Sequence, residues 1–218
     1  MATVATLAVA ANAVISIDPQ QHRLIMLDYF RGFLSRSEAS HTWDRYWGHY
    51  TFESLYPYQI HLISGTFVFC SGPLQLWSWV RLNFPRFHKR LGYLFVVSSI
   101  TCTSSALWLG WKSTLGSHVK LSATSFSLVS FFTIFQAIAA IWKGRVSSHQ
   151  RWVKRHLAVN FGIVMVRLVA TTLFFFTELL GFKDLSSDVS LTAAHYGIWF
   201  WVGFIVSVLL GEALWVRH

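Results

Sequence analysis

The sequence predicts an all-α, polytopic transmembrane helical bundle of about five spans, with a candidate sixth at the N-terminus. Three observations predict it. Of 218 residues, 54% are hydrophobic and 12% charged, about half the charged fraction of a soluble domain. The mean hydropathy is +0.46. No acid stands between Glu53 and Glu178. A water-exposed surface would not leave such a gap, whereas lipid demands it, because carboxylates are expensive in a bilayer core.

The elements follow in chain order. Residues 1–17 are mildly apolar (TVATLAVAANAVISI over 3–17). They are short for a span and lack the positive leading region of a signal peptide, although Ala11-Asn12-Ala13 resembles a cleavage site. They read as a real or vestigial first span, or as a cleaved signal. Residues 18–55 are polar and aromatic, with Arg23, Asp28, Arg31, Arg36, Glu38, Asp44, Arg45 and Glu53, and belong on the non-cytoplasmic face. Residues 56–218 form the bundle. A span needs about 20 mostly apolar residues. Five stretches qualify: span A at 58–80, B at 91–111, C at 119–142, D at 152–177 and E at 195–216. Polar breaks separate them: Asn83-Phe84-Pro85-Arg86, Lys112-Ser113-Thr114, Lys143-Gly144-Arg145 and Lys183-Asp184. Trp77, Trp79, Trp108, Trp111, Trp142, Trp152 and Trp215 fall near span ends, as the aromatic belt of membrane proteins requires.

Basic residues set the orientation. The face after span A carries Arg81, Arg86, Lys89 and Arg90, then Lys143, Arg145, Arg151, Lys154 and Arg155, then Arg217. The other face has Lys112, Lys120 and Lys183 around spans B to E. The positive-inside rule puts the first set on the cytoplasmic or equivalent side; which membrane is not written in the chain. The net charge of +9 is thus a topology signal. A nucleic-acid partner is not expected, because the basic residues hug span ends.

Both cysteines, Cys70 and Cys102, sit inside spans without CxxC spacing. They read as small apolar residues, not as a disulfide or thiolate metal site. Phosphate-cradling glycine loops and nucleophile-elbow spacing are not found.

Histidine carries the functional signal. Six of the ten histidines cluster at span ends. His61, His118 and His195 lie toward the non-cytoplasmic face, and His88, His149 and His156 toward the cytoplasmic face. Singly, each is explained by an interfacial hydrogen bond to a headgroup or a neighbouring helix. Span D argues for more. At about 100° per residue, His149, His156, Asn160, Arg167 and Glu178 fall within about 20° of one line. Lys154 and Arg155 lie off it and can snorkel. Lipid does not tolerate such a stripe, so it faces protein or a polar cavity. Arg167 sits mid-span, and its candidate partners are Glu178, Glu212, backbone carbonyls or a bound anionic group. Matching small or polar stripes run along A (His61, Gly65, Val68, Gly72, Gln75), B (His88, Gly92, Ser99, Ala106) and C (His118, Ser122, Ser125, Gln136). They read either as close helix packing or as the walls of a central cavity with histidines at each end.

These motifs resemble a known family. His61-x3-Gly65 with Gly72-Pro73-Leu74-Gln75, then His88-Lys89-Arg90-Leu91-Gly92-Tyr93, then His149-Gln150-Arg151-Trp152-Val153-Lys154-Arg155 are similar to successive signatures of the membrane family called domain of unknown function 2306. Arg167 and Glu212 match its intramembrane arginine and late acid, so the resemblance spans about residues 58–214. Tyr93 stands where that family usually has arginine, and Val153 where it usually has methionine. The resemblance implies architecture and site positions more than an activity.

Three functions fit this pattern. The first is a cofactor-, lipid- or quinone-binding bundle acting as an accessory subunit of a membrane complex, its basic cluster meeting anionic headgroups. The second is haem b electron transfer, since imidazoles on facing helices can ligate iron from both sides. The cytochrome b561 group places one haem near each face in this way. Candidate pairs are His88 with His156, and His61 with His118 or His195; Arg167 or the cytoplasmic basic cluster would meet a haem propionate or a quinone carbonyl. The third is a metal-dependent intramembrane enzyme using three histidines at one face. If the protein is an enzyme, a membrane oxidoreductase is the expected class.

Overall fold

The structure is a computed structural model that describes residues 55–113, 116–179 and 189–216. The apolar segment 1–17 and nearly all of the polar segment 18–55 lie outside the described residues. So do the side chains of Arg167, Glu178 and His195. Every element described is helical, and no strand occurs among the described residues. The helices are α1 (Leu55–Leu76), α2 (Ser78–Asn83), α3 (Pro85–Lys112), α4 (Ser117–Trp142), α5 (Val146–Leu179) and α6 (Val189–Gly211), followed by a π-helical turn (Glu212–Val216). Among them α3 and α4 are long and apolar enough to cross a membrane. The chain divides into two units, Met1–Thr114 and Leu115–His218.

In the first unit, α1 and α3 run antiparallel. His61 Nδ1 meets the Cys102 carbonyl at 3.1 Å, and Gln75 Nε2 donates to the His88 carbonyl at 3.1 Å. Both contacts keep one register, because His61 to Gln75 and His88 to Cys102 are each 14 residues apart. Span A does not continue to residue 80 as one helix. It stops at Leu76; Trp77 is extended (φ −73°, ψ 110°), and α2 begins at Ser78. Phe84 then breaks the chain again at φ −130°, ψ 62°. Proline disfavours helix in the residue before it and fits the first helical position itself, so Pro85 explains both the break and the start of α3. Small residues form the seam. Ser64, Val68, Ser71, Ser98, Ser99, Cys102 and Thr103 are buried, and an added Cβ at Gly65 would touch Cys102 Sγ at 3.4 Å.

In the second unit, α4 and α5 form an antiparallel pair closed by a Schellman cap. Arg145 N–H donates to the Ala140 carbonyl and Gly144 N–H to that of Ile141, at 2.9 and 3.0 Å. Gly144 takes φ +67°, the left-handed conformation this cap requires and glycine tolerates. Helix α5 is internal on two faces. His149 and His156 meet Ala137 and Thr133 of α4. Arg155 and Ala158 meet Glu212 and Ser207, while Gly162 lies against both Phe126 and Phe204. The α5–α6 approach is close because small residues recur. At Gly203 a Cβ would overlap the backbone of Val166, and at Gly211 it would overlap Ala158.

The stripe expected on α4 is turned slightly. Its buried positions are Val119, Ser122, Ser127, Ser130, Thr133, Ile134, Ala137 and Ala140, whereas His118 is exposed and Ser125 and Gln136 are only partly covered. The cysteines also differ from one another: Cys102 is buried, but Cys70 is exposed and not a packed core residue.

Candidate functional site

Each candidate haem pair draws its two histidines from different units or reaches His195, so the histidines are taken unit by unit. In the first unit His61 is half-buried on α1. A carbonyl can only accept, so the contact with Cys102 O places the proton of His61 on Nδ1 and the lone pair on Nε2. Ser105 Oγ lies 3.3 Å from the same Nδ1 and itself donates to the Thr101 and Cys102 carbonyls at 2.9 Å. The Cys102 thiol approaches the His61 carbonyl at 3.8 Å. Gly65, Gly72 and Gln75, read as the wall of a stripe, face α3: Gly72 is buried, and the Gln75 side chain packs over Gly92 while holding the His88 carbonyl. His88 itself stands in the first turn of α3.

The second unit holds a denser polar set. His156 is fully buried, at 0% exposure. Thr133 Oγ1 lies 3.0 Å from its Nδ1, and Asn160 Nδ2 lies 3.1 Å from its Nε2. An amide NH₂ can only donate, so Nε2 accepts and Nδ1 carries the proton. Thr133 passes its own hydroxyl proton to the Ser130 carbonyl at 2.9 Å, and Asn160 also donates to the His156 carbonyl at 2.8 Å. Both ring nitrogens are thus satisfied inside the α4–α5 seam. As seated, Nε2 is a ligand for iron only if Asn160 withdraws. His149 is half-buried and donates from Nδ1 to the Ala137 carbonyl at 2.9 Å, which again leaves the lone pair on Nε2.

At the residue before His156, Arg155 forms a bidentate ion pair with Glu212. Arg155 Nε donates to one carboxylate oxygen at 2.9 Å and the Nη2 group to the other at 2.7 Å. The guanidinium also lies 4.8 Å from the centre of the Trp152 ring, a cation–π contact that holds its plane. Sequence reasoning set Arg155 aside as a snorkelling residue and offered Glu212 to Arg167. Instead Glu212 is engaged by Arg155. The missed signal was the run Gly203-x3-Ser207-x3-Gly211 leading into Glu212, a small-residue spacing that draws helices together and marks a second internal face on α5.

Among the described residues no three His, Cys, Asp or Glu side chains gather where they could share one metal ion. His118 is exposed at the start of α4. The predicted membrane protein family DUF2306 matches residues 58–215, the same stretch that carries the signatures above. No curated protein and no solved structure matches the chain.

Proposed function

Because the chain belongs to the DUF2306 family of predicted membrane proteins, we propose that it is a five-span accessory subunit of a membrane complex, binding lipid or quinone and performing no chemistry of its own. The spans would be α1, α3, α4, α5 and α6, each of 22 residues or more, against the roughly 20 that a bilayer requires. The basic loops at 81–90 and 143–155 would share the cytoplasmic side. One observation carries the accessory reading: the polar groups in the seams of α5 bond within the protein. His156 is closed between Thr133 and Asn160, and Arg155 is closed on Glu212. Such networks fix helix positions, which is what a scaffold needs, and they leave the outer apolar surface to take lipid and partner subunits.

The test is the size of the native assembly. Solubilised gently from its own membrane, the protein should migrate in a stoichiometric complex well above its 24.9 kDa. Recovery only as a free monomer in cross-linked and uncross-linked membranes alike would refute the reading.

A specific observation favours haem b as the second reading. His61 and His149 each donate Nδ1–H to a backbone carbonyl of a neighbouring helix. Histidines that ligate metals are oriented in this way, with the lone pair of Nε2 directed to the iron. Each of the two, within its own unit, has this orientation; His156 does not, with Nε2 held by Asn160. A haem ligated by either would supply one-electron transfer. A reduced-minus-oxidised spectrum with a sharp b-type α-band, lost in His61→Ala or in His149→Ala, would establish it. A featureless spectrum after expression with added haem would end it. The metal-enzyme reading gains no such support, since no three-ligand set is found among the described residues.

A further inference from the structure

Between α2 and α3 lies an open, shallow cleft of about 460 Å³, lined by Asn83, Phe84, Pro85, Arg86, Phe87 and Arg90. Its chemistry is divided. Arg86 and Arg90 are four residues apart on α3, hence on one face, and both are exposed. Phe84 and Phe87 are half exposed beside them. Just before the cleft, Trp77, Trp79 and Leu82 are also exposed, and Trp79 contacts both Trp77 and Phe84, with ring centres 5.4 and 5.3 Å apart.

No described carboxylate compensates this charge. Arg81, Arg86, Lys89 and Arg90 fall within ten residues, in a chain with no acid from 54 to 177. Among the described side chains the one carboxylate is Glu212, and Arg155 takes it. A soluble anion would account for the arginines but not for five large apolar side chains held open around them. A lipid accounts for both, since exposed aromatics settle at headgroup depth while basic side chains meet phosphate. The cleft also sits at the end of α3, one of the two helices long and apolar enough to cross a membrane.

We propose that this cleft is a binding site for one anionic phospholipid, its phosphate held between Arg86 and Arg90 and its glycerol and upper acyl region lying on Phe84 and Phe87. The proposal sharpens the lipid-binding part of the reading above. It does not depend on a partner subunit, so the two fail separately: loss of the complex with retained lipid selectivity sinks only the former.

The experiment uses the full chain in detergent micelles and native mass spectrometry, titrating phosphatidylglycerol against phosphatidylcholine of the same acyl chains. The intact protein should retain phosphatidylglycerol at least tenfold more tightly. Neutralising two basic side chains at a membrane surface should weaken its binding about 30-fold, so Arg86→Gln/Arg90→Gln should lose that preference and keep its phosphatidylcholine adducts. Arg86→Lys/Arg90→Lys keeps the charge and should stay within a few-fold of the parent, which separates loss of the site from loss of fold. Equal retention of the two lipids by the parent protein would overturn the proposal. So would unchanged selectivity in the glutamine variant, or displacement of the lipid by millimolar inorganic phosphate, which would reveal a free-anion site.

Discussion

Glu212→Gln tests how the second unit is held together. The substitution keeps the shape of the side chain and one acceptor, but removes the charge and turns one acceptor oxygen into a donor facing Arg155. The structure sets the size of the effect. Two charge-assisted bonds of 2.9 and 2.7 Å join the groups, yet their side chains remain 33% and 36% exposed. Fully exposed pairs are worth about 0–1 kcal/mol, and breaking fully buried ones costs about 3–5 kcal/mol. A bidentate pair at this depth falls between, at about 2 kcal/mol. For a chain of this length that corresponds to a fall in Tm of about 4–8 °C. The assay is thermal unfolding in detergent, run as a double-mutant cycle with Arg155→Gln. The two single substitutions should be strongly non-additive, because each leaves the other group unpaired. Additive effects, with a coupling below about 0.5 kcal/mol, would refute the pairing. Coupling of Glu212 to Arg167 in place of Arg155 would refute it more pointedly, by restoring the partner that the helical wheel suggested.

Three further outcomes are expected. Asn160→Leu leaves the buried Nε2 of His156 without its donor, which should cost about 1–3 kcal/mol in the same unfolding assay and at least as much as an exposed change such as Arg151→Leu. Gly203→Ala drives a methyl group into the Val166 backbone; overpacking of this kind costs about 1–3 kcal/mol, and a Tm equal to the parent's would show that α5 and α6 are not so close. Arg167→Leu should impair expression or assembly more than Arg151→Leu, because lipid does not tolerate an arginine at mid-span without a purpose; equal tolerance would mean that the polar stripe faces nothing important.

The sequence reading and the structure part company at instructive places. The inner faces of α1 and α3 were legible in part, because the two helices pack against each other and a single period of about 3.6 residues marks the seam. His61, Gly65 and Gln75 do face α3, four and ten residues apart along one side of α1. The same method assigned one inner face to span D and missed Arg155, because α5 packs against α4 and α6 on different sides. A helical wheel ranks positions by polarity and cannot register a second seam built of Ala158, Gly162 and Gly203. Helix α2 was also hidden. Trp77 and Trp79 read as the end of a span, and only the dihedral angles at Trp77 and Phe84 show the chain turning twice. For the histidines, the residues were visible but their states were not. Whether a ring nitrogen offers a lone pair or spends it depends on Asn160, Ala137 and Cys102 across a helix seam, and spacing carries no record of that.

The Arg155–Glu212 pair has a consequence for biogenesis. Its two halves are 57 residues apart. A ribosome adding about 5–20 residues per second therefore delivers the carboxylate several seconds after the guanidinium. During that interval α4 and α5 can already close on each other through His149 and His156, while Arg155 waits with its charge uncompensated. Arrival of the π-helical turn that carries Glu212 neutralises it. The turn after α6 thus acts as a latch that closes on α5 only after α4 and α5 have met.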